Sequence, residues 1–179
     1  MQTVRFTQMK DGGAEDYRLL DRYERDFAAG TADRVLAALA DLQHSMSGYQ
    51  VSRLEHSLQT ATRAERDGAD PEMVVTALLH DIGDGLAPWN HGALAAAILQ
   101  PYLREECVWI AAQHGLFQSY YYAHHMGGDR DARERFRGHP HFDACLHFCE
   151  AWDQAAFDPG YDSLPLEHFA PIVRTLLSR

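Results

Sequence analysis

An all-α fold is what this 179-residue sequence predicts, on three observations. Apolar residues recur at three- and four-residue spacing over most of the chain. Few segments alternate with period two, and glycine, proline and short polar side chains fall at the joints between periodic stretches. The length corresponds to about one domain. A domain of that size buries roughly 70% of its extended-chain surface, enough for a core without staples. Residues 1–179 are read as one helical bundle, with 1–13, polar and ending in Gly12-Gly13, as a loose N-terminal arm.

The first helix runs from Ala14 to Ala29, where Tyr17, Leu20, Tyr23 and Phe27 share a face and Gly30 stops the pattern. Thr31 is placed to cap a second helix whose stripe is Val35, Leu36, Leu39 and Leu42. A turn at Ser47-Gly48 leads to a third helix over Val51 to Asp67, closed by Gly68. Asp70-Pro71 pairs an N-cap with proline at the first helical position. The fourth helix runs from there through Met73, Val74, Ala77 and Leu78 to His80-Asp81. The fifth spans His91 to Gln100, with Asn90 as its cap and Pro101 ending it. The sixth runs from near Arg104 into Tyr120-Tyr121-Tyr122, and Gly127-Gly128 breaks the pattern. Asp129 to Arg137 reads as a short charged helix, His141 to Gln154 as another, and Leu166 to Leu177 as the closing one after the turn at Asp158-Pro159-Gly160.

Apolar residues at 46% and charged residues at 23% belong to an ordinary globular protein. The net charge of −10 argues against nucleic acid or an anionic membrane as the main partner. Lys10 is the only lysine, so any anion-binding task falls to Arg, His or a metal. Cys107, Cys145 and Cys149 lie within predicted helices. Cys145 and Cys149 share a face at i, i+4, but no Cys or His partners stand at zinc-finger spacing, so they are read as small buried hydrophobes. That usage fits a reducing cytoplasm. The N-terminus lacks a signal-peptide core and no run reaches membrane-spanning length, so a cytoplasmic location is expected.

Chemistry concentrates in Leu79-His80-Asp81-Ile82-Gly83, which sets a histidine beside a carboxylate at the end of an apolar run. Imidazole and carboxylate together suit iron, manganese or zinc, and a carboxylate's two oxygens can bridge two ions. His56, His91, His114 and Asp153 fall on other predicted helices. Singly, each has an ordinary explanation, a packed core histidine or a helix-end acid. As a set, they can converge on the interior of an antiparallel bundle, as carboxylate-bridged sites do. The other histidines, His44, His124, His125, His139, His141, His147 and His168, fit surface, loop or supporting roles.

The order His56, His80-Asp81, His91, His114, Asp153 resembles the HD-domain superfamily, with the extra histidines of its two-metal branch. Within that branch, Leu54-Glu55-His56-Ser57-Leu58-Gln59, Ala77-Leu78-Leu79-His80-Asp81-Ile82-Gly83 and Trp152-Asp153 resemble the oxygenases that cleave carbon–phosphorus bonds, relatives of myo-inositol oxygenase. The likeness covers roughly residues 45 to 175. It implies an HD bundle with the site between central helices and two iron ions as Fe(II)/Fe(III), with O2 as co-substrate. One iron would take His56, His80, Asp81 and Asp153, the other His91 and His114, with Asp81 as the bridging catalytic residue.

The substrate-facing residues differ from those relatives, which carry a histidine and a lysine where this chain has Asp84 and Gln118. Tyr49, with Met46 near it, lies where they have a glutamate-and-tyrosine lid. Tyr49, Asp84, Gln118, Tyr121 and Arg130 are the expected substrate contacts. Aromatic rings of the Tyr120–Tyr122 run with Asp84 would cage a quaternary ammonium, and Arg130, Arg133 or Arg137 would take an anion. The resulting expectation is an oxygenase for a small polar hydroxylated substrate, such as a trimethylammonio-substituted 1-hydroxyethylphosphonate. A metal-dependent HD phosphohydrolase of a nucleotide or small phosphate ester and a non-enzymatic helical regulator are the alternatives. The oligomeric state stays open.

Overall fold

Local capping chemistry sets the frame. Ser52 Oγ accepts from the Glu55 amide at 3.1 Å, and Glu55 Oε2 accepts from the Ser52 amide at 2.7 Å. This reciprocal box starts a helix that the apolar pattern alone begins at Val51. Asp70 Oδ1 accepts from the Glu72 and Met73 amides at 3.0 and 3.1 Å with Pro71 in the first turn. The same carboxylate takes the guanidinium fork of Arg104 at 2.7 and 2.8 Å, tying the starts of two helices together.

The computed structural model describes residues 2–178. In chain order the α-helices are α1 (Ala14–Ala29), α2 (Thr31–Asp41), α3 (Arg53–Arg66), α4 (Pro71–Leu79), α5 (His91–Leu99), α6 (Glu105–Gln118), α7 (Phe142–His147) and α8 (Leu166–Leu176). No strand occurs among the described residues, so the all-α expectation stands. None of the described helices is long and apolar enough to cross a membrane.

Helix α4 is the axis. Every residue from Met73 to Leu79 is buried, the pattern of a helix surrounded on all sides. It packs against α3, α6 and α8, while α5 lies along α6 and α2 meets α8. Leu39, Leu78, Leu99, Ile110, Phe117, Phe148 and Phe169 fill the space between them. Because α4 is enclosed from Met73 to its end, the two residues that come after it, His80 and Asp81, enter the interior rather than solvent.

Several expected details differ. Within residues 2–13, Tyr23 donates to the Gln2 carbonyl at 3.0 Å, Tyr17 donates to the Met9 carbonyl, and Phe6 packs on Tyr17. Met1 and Arg179 lie outside the described residues. Thr31 is the first residue of α2 rather than its cap, its hydroxyl donating back to the Ala28 carbonyl at 2.7 Å. Asn90 precedes α5 without a side-chain cap bond. The sixth helix stops at Gln118 and continues as 3-10 turns over Ser119–Tyr121 and Ala123–Met126, and the charged stretch is a 3-10 turn, Ala132–Phe136. The segment His141 to Gln154 splits into α7 and a π-helical turn, Phe148–Asp153. One π turn inserts an extra residue and so re-aims the side chain at its end, here Asp153.

Helices α5 and α6 approach closely because Gly92 has no side chain; a methyl there would lie 2.8 Å from the Ala111 carbonyl oxygen. The variant Gly92→Ala is expected to lose about 1–3 kcal/mol through overpacking. Urea denaturation checks this, and an unchanged midpoint would show that the two helices yield freely.

Candidate metal centre

The six donors are delivered by five pieces of the bundle. His56 sits on the buried face of α3, His80 and Asp81 come directly after α4, His91 opens α5, His114 faces inward from α6, and Asp153 ends the π turn. The imidazoles are oriented in one common way. Nδ1 of His80, His91 and His114 meets the carbonyl three residues earlier, Ala77 at 2.8 Å, Pro88 at 3.1 Å and Ala111 at 2.8 Å. His56 Nδ1 instead reaches Ala156, a hundred residues away, at 3.0 Å. A carbonyl can only accept, so each Nδ1 carries a proton, and it is Nε2 that turns inward, with a lone pair for a cation when the ring is neutral.

Those lone pairs meet in two pairs. His56 Nε2 and His80 Nε2 stand 3.2 Å apart, and His91 Nε2 and His114 Nε2 3.1 Å apart. Asp81, only 2% exposed, lies between the pairs and offers one oxygen to each. Its Oδ2 is 3.3 Å from His56 and 3.4 Å from His80. Its Oδ1 is 3.3 Å from His91 and 3.1 Å from His114. Asp153 Oδ1 joins the first pair, 3.2 Å from His56 and 3.7 Å from His80. For metal–nitrogen bonds of about 2.1 Å, neighbouring donors sit roughly 3.0–3.5 Å apart in tetrahedral or octahedral shells. The two groups, His56/His80/Asp81 and Asp81/His91/His114, have the spacing to hold one cation each.

The electrostatics agree with that reading. Burial disfavours charge at His56, yet the carboxylates of Asp153 and Asp81 push it up to about 9. Burial also disfavours charge at Asp81, but His80, His114, His56 and Arg53 hold its carboxyl well below the usual range. Asp153 is lowered against its own burial by His56 and His80. Asp153 Oδ2 and Gln118 Oε1 are buried with no hydrogen-bond partner. A buried polar atom without a partner is costly unless a ligand or ion completes it, so the residues present fit a metal.

A cavity of about 100 Å³ opens over the cluster, lined by Tyr49, Arg53, Gln118, Tyr122 and Phe157 beside the donors. Phe157 stacks on His56 with ring centres 4.3 Å apart, and Tyr49 stacks on Phe157 at 4.8 Å. The six expected ligands are thus brought together, and of the expected substrate contacts Tyr49 and Gln118 line the cavity. The other three do not. Asp84 is engaged by Arg53 and stands 3.3 Å from His91 Nδ1. Tyr121 gives way to its neighbour Tyr122, because the 3-10 turn after Gln118 rotates the run. Arg130 lies against the Tyr120 ring, 4.1 Å from its centre. Arg53 and Phe157 are lining residues that the sequence did not point to, and within the expected Tyr120–Tyr122 run it is Tyr122 that lines the cavity. For Arg53 the signal was present in its position one turn before His56.

The HD domain family profile matches residues 53–147, a little over half of the chain. The span takes in His56, His80, Asp81, His91 and His114 and stops short of Asp153. No curated protein matches the chain.

Asp81→Ala removes the one group shared by both donor sets. It is expected to empty at least one metal position with helical content retained, as metal analysis and circular dichroism would show; two ions kept in the variant would contradict the bridge. The metal-free protein should also show a two-sided pH profile. His56, raised from 6.5 to about 9, contributes stability that is complete below pH 6.5 and lost as pH rises through 9. Asp81 and Asp153, lowered from 3.8, contribute stability present above that pH and lost as pH falls through their folded values. Melting temperature without metal is expected to peak between these limits, and bound cations to flatten the alkaline side. A metal-free profile level from pH 6 to 9 would contradict the His56 assignment.

Proposed function

The chain belongs to the HD domain family, and on that footing we propose that it is an oxygenase using two iron ions and O2 on a small, hydroxylated, polar substrate, cleaving a carbon–phosphorus or analogous bond. The composition of the two donor sets carries this reading. His91, His114 and Asp81 Oδ1 offer two imidazoles and one carboxylate oxygen, the set that suits non-haem iron with positions left for other ligands. His56, His80, Asp81 Oδ2 and Asp153 offer two imidazoles and two carboxylate oxygens, a more anionic set for the more highly charged ferric ion. Both candidate groups are built from histidine and aspartate alone.

Bound iron would supply the one-electron chemistry with O2 and would acidify a coordinated alcohol. The chain's own part is to hold, orient and keep dry. Gln118 donates through Nε2 to Asp153 Oδ1 at 3.0 Å, which leaves its unpartnered Oε1 to accept from a substrate hydroxyl. Tyr49 and Phe157 form a stacked wall that presents aromatic faces, with Tyr122 also on the lining. Such faces attract a trimethylammonio group, and because Asp84 is tied to Arg53, the rings rather than Asp84 would do so. A cavity of about 100 Å³ is well under the roughly 300–1,000 Å³ that drug-sized ligands occupy, which favours a small substrate over a nucleotide.

The test is stoichiometric. Insertion of both oxygen atoms converts R–CH(OH)–PO3H2 and O2 into R–COOH and H3PO4. Protein loaded with iron and partly oxidised should consume one O2 and release one phosphate per trimethylammonio-hydroxyethylphosphonate. Phosphate release from a phosphate ester with O2 excluded, and no O2 uptake with the phosphonate, would replace the oxygenase by a hydrolase.

A further inference from the structure

Arg53 is unusual for a residue in the first turn of a helix, being nine-tenths buried. Its guanidinium divides between two carboxylates on the segment after α4. Nη2 lies 2.8 Å from Asp81 Oδ2, and Nε donates to Asp84 Oδ2. The other oxygen of Asp84, Oδ1, stands 3.3 Å from Nδ1 of His91. A closed circuit results: Asp81 to Arg53, Arg53 to Asp84, Asp84 to His91, and His91 Nε2 back to Asp81 Oδ1 at 3.3 Å. We propose that Arg53 and Asp84 form a positioning pair that fixes the rotation of the Asp81 carboxylate and the ring of His91, and that this pair governs occupancy of the second cation position.

The two positions are not equally built. The first has four protein donors, His56, His80, Asp81 Oδ2 and Asp153 Oδ1. The second has three, His91, His114 and Asp81 Oδ1, and His91 is the most exposed of the four donor histidines at 23%. A carboxylate free to turn about its Cβ–Cγ bond can still serve the first position with either oxygen. The second position requires Oδ1 to point away from the first, which is the orientation that the Arg53 bond to Oδ2 enforces. Loss of Arg53 therefore acts on the second ion more than on the first. Simple Coulomb repulsion predicts the opposite sign, because removing a cation from beside the site would tighten both ions.

This inference rests on the two-cation reading above, and titration with Fe(II) alone under anaerobic conditions tests it without turnover. Wild-type protein should take up two ions. In Arg53→Gln the first is expected to bind as before, and the second to weaken by about 10- to 100-fold, the usual cost of losing a group that orients a metal ligand. Asp84→Asn, which leaves Arg53 in place, should weaken the second ion in the same direction, and the double variant should lose less than the two single losses combined. Arg53→Lys, able to meet one carboxylate but not both, should fall between wild type and Arg53→Gln. If Arg53→Gln does not fold, Asp84→Asn with an unchanged second ion overturns the proposal. So does a second ion held equally or more tightly in Arg53→Gln, or equal weakening of both ions. Wild-type protein that binds a single ion would instead overturn the two-cation reading, and the positioning role with it.

Discussion

A carboxylate buried to the extent of Asp81 costs several kcal/mol to desolvate unless positive charge meets it at close range. Here Arg53 meets Oδ2 directly, and a cation or proton shared with His56 and His80 at Oδ2, and with His91 and His114 at Oδ1, would complete the compensation on both oxygens. That arrangement constrains the whole bundle, because the five partners come from α3, α5, α6 and the end of α4. The backbone complies at Gly83, where a methyl group would lie 2.6 Å from the carbonyl oxygen of His91. Only a residue without a side chain lets the segment after Asp81 turn that close to the start of α5.

The same constraint explains the layer behind the donors. Three imidazoles are held by carbonyls of their own helices or entry turns, so a shift of a ring requires a shift of a helix. His56 differs, since its Nδ1 partner is Ala156, just beyond the π turn that carries Asp153. One histidine thus registers the C-terminal part of the chain against α3. Gln59 repeats the registration one helical turn further along, donating to the Asp158 carbonyl at 2.8 Å and accepting from the Asp158 amide at 3.3 Å. Phe157, between those anchors, is thereby laid over the His56 ring and onto the cavity wall.

Much of this was legible in the residues. The ends of α1 are set by flanking glycines, the start of α4 by Asp70-Pro71, and the donor set by His80-Asp81 beside three lone histidines and a late aspartate. The illegible remainder depends on contacts between distant segments. The π turn has no local signature and shows only in how Asp153 is aimed. Whether Tyr121 or Tyr122 faces the cavity turns on a 3-10 twist of one residue. Arg53 stands one turn before His56, but its partners do not show in the sequence, and Asp84 reads there as a substrate contact; their pairing appears only once α3 is laid against the end of α4.

Anomalous diffraction from iron-loaded crystals addresses the central claim most directly. Two iron peaks are expected about 3.5–4 Å apart, the usual spacing of paired catalytic metals, one among His56, His80 and Asp153 and the other between His91 and His114, with Asp81 reaching both. A single peak, or a second one away from His91 and His114, would contradict it.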